Sequence, residues 1–244
     1  MEGPHALAAA LDAGAALDDL LYEAGPGDEI DALVGRARAA GVPTGALEPG
    51  TLARVTDAVT PQAVVAVAAW CDVSLDEVAA HAVQAGVGPV VVLEDVRDPG
   101  NVGTLVRTAE ASGASAVVVS GTSADVFGPK AVRSSAGAVF HVPLVVAPDG
   151  AAALEALAGA GLRLVGTAAD APTAHEEADL TGPLALVLGN EAAGLPEESL
   201  ARVHERVAIP IEGRAESLNV AAAGAVLCFE AARQRRRAAA VPNR

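Results

Sequence analysis

From Pro89 to Asp95 the chain runs Pro-Val-Val-Val-Leu-Glu-Asp, an apolar stretch with no alternation of polar residues. A strand of this kind has no face suited to water, so it belongs inside a parallel sheet covered on both sides. Leu184 to Leu188 is a second such run, and Ser115 to Gly121, Phe140 to Val146 and Leu162 to Ala168 read as further extended segments. Helical patterns fall between them, at Phe127 to Ala138, with Pro near its start, and at Asp149 to Ala160. Alternating buried strands and helices imply an α/β fold.

The informative residues follow the strands. Glu94-Asp95-Val96-Arg97-Asp98-Pro99-Gly100-Asn101 is a strand end and a Pro-Gly-Asn turn, after which a helix carries Arg107. Six positions separate Asn101 from Arg107, so they share no helical face unless Asn101 lies in the turn, where the Pro-Gly pair is expected to put it. An N-cap Asn and a surface Arg would account for the same pattern. Leu184 to Leu188 runs into Gly189-Asn190-Glu191-Ala192-Ala193-Gly194-Leu195, in which Gly189 permits close backbone approach and Glu191 brings a carboxylate to the strand end. Taken alone, that turn is equally compatible with a solvated acid. Ile209-Pro210-Ile211 then leads through a small-residue loop to Ser217-Leu218-Asn219-Val220, with Ser217 at the start of an apolar helix, Ala221 to Ala232. Free N–H groups at such a helix start can hold a ligand.

Ahead of these motifs, residues 5–70 alternate helix and strand: His5 to Ala13 helical, Leu17 to Glu23 extended, Asp28 to Ala40 helical, Gly41 to Leu47 extended, Pro49 to Val55 helical, and Ala63 to Trp70 a buried strand. The chain therefore divides into a small α/β/α domain, 1–70, a linker with a short Ala-rich helix, 71–88, and a larger α/β domain, 89–244. Met1 to His5 enters the first helix almost without a lead, as a trimmed start would.

Composition narrows the chemistry. Neither G-x-G-x-x-G nor G-x-x-x-x-G-K-[ST] occurs, which argues against a dinucleotide enzyme or a P-loop NTPase. The five histidines and two cysteines, Cys71 and Cys228, have no metal-ligand spacing, so no metal is expected, and the cysteines read as buried reduced thiols. No eighteen-residue apolar run or basic leader is present, which makes a soluble cytoplasmic protein the expectation. Net charge is −15, concentrated before residue 89, and it opposes a broad phosphate-binding surface. Arg233, Arg235, Arg236 and Arg237 form a local exception, suited to phosphate, to a helix C-terminus or to a solvated face.

Together, N-x-G-x-x-x-R-T-A from Asn101, G-N-E-x-x-G-L from Gly189 and I-P-I-x-x-x-x-x-S-L-N-V from Ile209 resemble the three ordered motifs of the SpoU (TrmH-like) branch of SPOUT RNA 2′-O-ribose methyltransferases. The run Thr56 to Val67 is similar to part of that family's accessory substrate-binding domain, whose first strand would precede Glu2. The resemblance implies a deep trefoil knot made by the C-terminal segment, a homodimer in which the last helix, Val220 to Ala231, is a contact surface, and S-adenosylmethionine as cofactor. Thr167, Ala168, Leu188, Gly189, Asn190, Ile209, Ile211, Ser217, Leu218 and Asn219 would hold the cofactor. Arg107, fixed by Asn101, would orient the reacting hydroxyl or its phosphate, with Glu191, Ser217 and Asn219 as supports. Lys130 and Arg133, on the helix that faces RNA in the family, would contact an rRNA or tRNA substrate. Two other readings remain open: a non-catalytic RNA-binding or ribosome-assembly protein with this fold, and a small-molecule methyltransferase.

Overall fold

The computed structural model describes residues 1–25, 27–54, 61–84 and 87–240. In chain order the first elements are α1 (Pro4–Asp12), β1 (Leu17–Glu23), α2 (Asp28–Ala39), β2 (Thr44–Leu47) and β3 (Val64–Ala68). They form a small sheet of order β2-β1-β3, with β2 parallel and β3 antiparallel to β1. Leu7 of α1 and Ile30, Leu33 and Val34 of α2 bury against Leu20, Val64 and Ala66. The outward residues of β3 are less covered, and Val67 is exposed, because the side chains of a strand alternate between faces.

The remaining elements are α3 (Leu75–Ala82), β4 (Val90–Glu94), α4 (Pro99–Ser112), β5 (Ala116–Ser120), α5 (Pro129–Ser134), β6 (Leu144–Ala147), α6 (Gly150–Gly159), β7 (Arg163–Thr167), β8 (Thr173–Ala174), β9 (Leu184–Leu188), α7 (Glu197–Leu200), β10 (Glu205–Ala208) and α8 (Val220–Ala240). Seven of these strands make one parallel sheet, of order β6-β5-β4-β9-β7-β10-β8. Val91, Leu93, Leu186 and Leu188 face a core closed by α4, α5 and α8, while Val90, Val92, Ala185 and Val187 face α3 and α6. Burial on both faces is what the uninterrupted apolar runs demanded, and each such side chain contributes about 1.5–3 kcal/mol over an exposed one. Because the strands are parallel, the loops after β4, β7, β9 and β10 all leave the same edge, and β4 and β9 flank the point where strand order reverses.

Several expectations change. The 71–88 stretch carries its expected short helix, α3, which Ser74 caps through a reciprocal bond with Glu77, and Val78, Ala79 and Ala82 also bury against the large sheet. Helix Pro49 to Val55 reduces to a 3-10 turn at Leu52–Arg54, and Val55 lies outside the described residues, as does the Thr56 to Thr60 part of the accessory-domain run. The Ala63 to Trp70 strand ends at Ala68, and Trp70 is 71% exposed rather than buried. The helix expected over Phe127 to Ala138 stops at Ser134. Positive φ at Ala136 and Gly137 breaks it, and a 3-10 turn at Ala138–Phe140 takes up what had been read as the start of strand β6. The final helix, by contrast, runs longer than its apolar part, to Ala240, and Arg235 within that extension is anchored on another element.

That anchor is specific. Arg235 donates to the carbonyls of Ser112 and Gly113, satisfying the C-terminus of α4 from across the interface. Arg233 instead pairs with Glu230, so the arginine cluster is partly structural. Close approach of α8 and α4 also requires Gly224, where a Cβ would lie 2.2 Å from Leu105. Burial raises the Cys228 thiol to about 12, in keeping with an inert core residue, while Cys71 is half-exposed.

Candidate active site

Where β7, β9 and β10 end, a cavity of about 730 Å³ opens between three loops and the start of α8. Its size suits a cofactor-sized ligand. One wall is Thr167 to Asp170 after β7, a second is Gly189 to Leu195 after β9, and the third is Val207 to Ile211 with Glu216, Ser217 and Leu218. Ile211 and Leu218 are more than a third exposed although apolar, which leaves hydrophobic surface facing the opening.

Local chemistry fixes the β9 loop. The Asn190 side chain accepts from the N–H groups of Ala192 and Ala193 and donates to the Asp95 carbonyl, 2.9 Å away, while its backbone pairs with Gly194. This is an Asx turn tied to the β4 end. A Cβ at Gly189 would fall 2.5 Å from the Gly194 carbon and the Leu195 nitrogen. The close approach that requires glycine is therefore the loop's own return; the sequence had pointed to a ligand. Asp95, at φ 57, is held in that uncommon conformation by accepting from the Thr122 N–H and hydroxyl.

Asn101 lies within α4, two residues after Pro99, and not in the turn. The N-cap is Asp98, whose carboxylate accepts from the Asn101 N–H at 3.0 Å. The Asn101 side chain donates to Glu191 Oε1 at 2.5 Å and accepts from Asn219 Nδ2 at 3.1 Å. Asn219 in turn caps α8, accepting from the Ala221 and Ala222 N–H groups, so the helix start falls to Asn219 where Ser217 had been expected. One hydrogen-bonded line thus joins the loops after β4, β9 and β10.

Of the residues singled out in the sequence, Thr167, Ala168, Gly189, Asn190, Glu191, Ile209, Ile211, Ser217 and Leu218 line the cavity. Leu188 does not: it is 1% exposed and packs in the core beneath. Asn101 and Asn219 stand behind Glu191. Arg107 lies outside the cavity, exposed, and makes no hydrogen bond or ion pair among the described residues. The expected Asn101–Arg107 pairing is absent, since six residues carry Arg107 about 9 Å along α4 and onto another face. Lys130 bonds to Asp98 at 3.0 Å, which with the Asn101 N–H holds the Asp98 carboxyl below its ordinary range. Arg133 approaches Glu2 at 3.8 Å.

Sequence reading passed over Asp170, Arg206 and Glu216, which place charge on the cavity wall. It also passed over Glu94, the acid that ends an apolar strand. Glu94 is buried and accepts from Ser199 of α7 at 2.6 Å, and burial pushes its carboxyl above the usual range despite that bond. A buried acid closing an apolar run was the signal available for it. Among the described residues no cluster of His, Cys, Asp or Glu is placed to hold a metal, and no helix is long and apolar enough to cross a membrane.

The profile of the SpoU rRNA Methylase family matches residues 88–229. A Bacillus subtilis (strain 168) protein named 23S rRNA (guanosine(2553)-2′-O)-methyltransferase RlmP is 35% identical over 75% of this chain and 70% of its own length. A Streptomyces viridochromogenes protein named 23S rRNA (uridine(2479)-2′-O)-methyltransferase is 38% identical over 59% of this chain and 52% of its own. These matches thus take in between about half and seven tenths of the relatives. Among solved structures, an AdoMet-bound rRNA methyltransferase from Sinorhizobium meliloti superposes with a TM-score of 0.84 at 32% identity, over 96% of this chain and 86% of that one. The S. viridochromogenes SpoU methyltransferase AviRb in complex with AdoMet also gives 0.84 at 32% identity, over 97% and 90%.

Proposed function

The chain belongs to the SpoU rRNA methylase family, and from that premise we propose that it is an S-adenosylmethionine-dependent methyltransferase acting on a ribose 2′-hydroxyl of 23S rRNA. The observation that carries this reading is the cavity bounded by two of the motif loops, after β9 and β10, and by the loop after β7, matched by relatives named for that reaction and by structures that contain the cofactor.

The residues present fit such a cofactor. Three carboxylates, Asp170, Glu191 and Glu216, against one guanidinium, Arg206, make the lining net acidic, which suits a sulfonium cation. Ile209, Ile211 and Leu218 supply apolar surface for an adenine, and the backbone near Gly189 and Ser217 supplies polar groups for a ribose and a carboxylate. When bound, S-adenosylmethionine supplies an electrophilic methyl group. What remains for the protein is to exclude water, orient the ribose hydroxyl and keep the loops in register.

Arg107 is the orienting cation for the hydroxyl or its phosphate. Its exposure and its lack of a partner among the described residues leave it able to meet substrate, and a guanidinium holds its charge without accepting the proton. Asn101 and Asn219 act through Glu191 as positioning residues. Lys130 and Arg133 lie on the RNA side, and residues 1–70 form the accessory RNA-binding domain joined through 71–88 to the methyltransferase domain, 89–244. The segment from β10 into α8 threads the loop that precedes it as a trefoil knot. A two-fold homodimer covers the apolar stripe Ala222, Val226 and Phe229 on α8, of which Phe229 is 47% exposed. An rRNA substrate puts the enzyme in the cytoplasm.

Incubating the protein with methyl-labelled S-adenosylmethionine and unmodified 23S rRNA, then digesting to nucleosides, tests the reading. Label in one 2′-O-methylnucleoside is expected; a folded protein that transfers none refutes it and favours the non-catalytic RNA-binding alternative.

A further inference from the structure

Aromatic residues make up 2% of this chain, and its cores are built from Val, Leu and Ala. Its single tryptophan is nevertheless on the surface. Trp70 follows β3, where the chain passes from the small sheet to the large one, and is 71% exposed. The ring lies against Phe127, with centroids 5.2 Å apart and planes tilted by 50°, so it rests on the large domain. An indole held open to water in a chain that fills its cores without aromatics leaves a large aromatic face available to a partner.

The flanking chemistry indicates the partner. Phe127, whose N–H donates to Asp125, leads into α5, which carries Lys130, bonded to Asp98, and Arg133, 3.8 Å from Glu2; both cations are exposed at the surface, where they can exchange an acid for a phosphate. Lys130 donates to Asp98, which also accepts from the Asn101 N–H, and the Asn101 side chain donates to Glu191 at the cavity lip. Phe127 stands three residues before Lys130 in the chain, at the start of the segment from which that line reaches the candidate active site. A chain of net charge −15 is poorly served by phosphate contacts alone, whereas stacking on a nucleobase is indifferent to protein charge.

We propose that the Trp70 and Phe127 pair is a stacking platform for an unpaired base of the RNA substrate, with Lys130 and Arg133 serving its backbone. The inference rests on the methyltransferase reading above and adds to it a single-stranded nucleotide bound at the seam between the two sheets.

Because Trp70 is the only tryptophan, its emission reports directly on the site. Wild-type protein is titrated with an unmodified 23S rRNA transcript and with a twelve-nucleotide single-stranded RNA. Quenching that saturates with binding is expected. Trp70→Ala should bind the transcript roughly tenfold more weakly and Trp70→Phe less so, within the range set by loss of one stacked base. Neither variant should change the salt slope or the affinity for S-adenosylmethionine, whereas Lys130→Ala should reduce that slope. Unaltered emission at saturating RNA, or unaltered affinity in Trp70→Ala, overturns the platform. So does loss of cofactor affinity in both variants, which would make the ring a structural prop. An emission shift that depends on protein concentration without RNA overturns it in favour of a second copy covering the ring. If methyl transfer proceeds while emission stays constant, only the platform fails; if the wild type neither binds nor methylates RNA, the methyltransferase reading fails with it.

Discussion

The Asn219 side chain donates to Asn101 Oδ1 at 3.1 Å, joining the start of α8 to the first turn of α4, 118 residues away in the chain. Both amides are fully engaged: Asn219 Oδ1 caps α8, and Asn101 Nδ2 reaches Glu191. The asparagines therefore set the spacing of the three loops, and replacing either one separates two roles that the sequence alone could not distinguish.

Asn219→Ala should lower stability by about 1 kcal/mol through loss of the cap and also slow methyl transfer. Asn219→Asp keeps an oxygen for the cap but loses the donor to Asn101. Urea denaturation should put it within about 0.5 kcal/mol of wild type, with transfer as slow as in the alanine variant. A fully active aspartate variant would remove Asn219 from the positioning line.

Arg107→Ala should leave S-adenosylmethionine affinity and stability unchanged, because the side chain lies outside the cavity and has no partner among the described residues. Transfer should fall by two orders of magnitude or more, in the range found when a single charge-stabilising group is removed. Single-turnover rates beside calorimetric affinity check this, and an equal loss in both would give Arg107 a place in the cofactor site.

Much of this was legible in sequence because the physics was local. Uninterrupted apolar runs specified strands buried on both faces; the turn after β9 is a cavity wall, and the one after β4 leads to Asn101, which supports that wall through Glu191. What was not legible depended on contacts distant in the chain. Asp98 outcompeted Asn101 for the N-cap because the Pro99 ring starts the helix one residue after it. Leu188, the last residue of an apolar strand, points into the core and away from the opening. Trp70 looked like the end of a buried strand because propensity does not show that the small sheet's ladder ends at Ala68.

Glycine substitutions should separate ligand geometry from packing. Gly224→Ala drives a methyl group into Leu105, and overpacking of this kind costs about 1–3 kcal/mol. Thermal denaturation should register the loss, with cofactor affinity retained in the folded fraction. Gly189→Ala should do the reverse in emphasis, displacing the Gly194 and Leu195 backbone that forms the cavity wall and abolishing cofactor binding. Normal affinity in that variant would mean that the loop's return is not needed for the site.

Two buried or paired acids should give opposite pH signatures. Arg233, with Gln234, lowers the Glu230 carboxyl to about 2. A depressed folded pKa adds stability above the ordinary carboxylate range and loses it as pH falls toward 2. Glu230→Gln should therefore be destabilised at pH 7 and converge on wild type in acid. Glu94 is raised by burial, so its ionisation costs stability once pH exceeds the ordinary value of 4.5. The stability difference between Glu94→Gln and wild type should move in the variant's favour as pH rises from there. Denaturation midpoints across pH check both signs.

The account rests most heavily on three loops forming one cofactor site. Titrating the purified protein with S-adenosylmethionine in a calorimeter tests it most directly. One saturable site per chain is predicted, lost in Gly189→Ala and kept in Arg107→Ala. A folded wild-type protein that gives no binding heat at any temperature, and no thermal stabilisation by the cofactor, would contradict it.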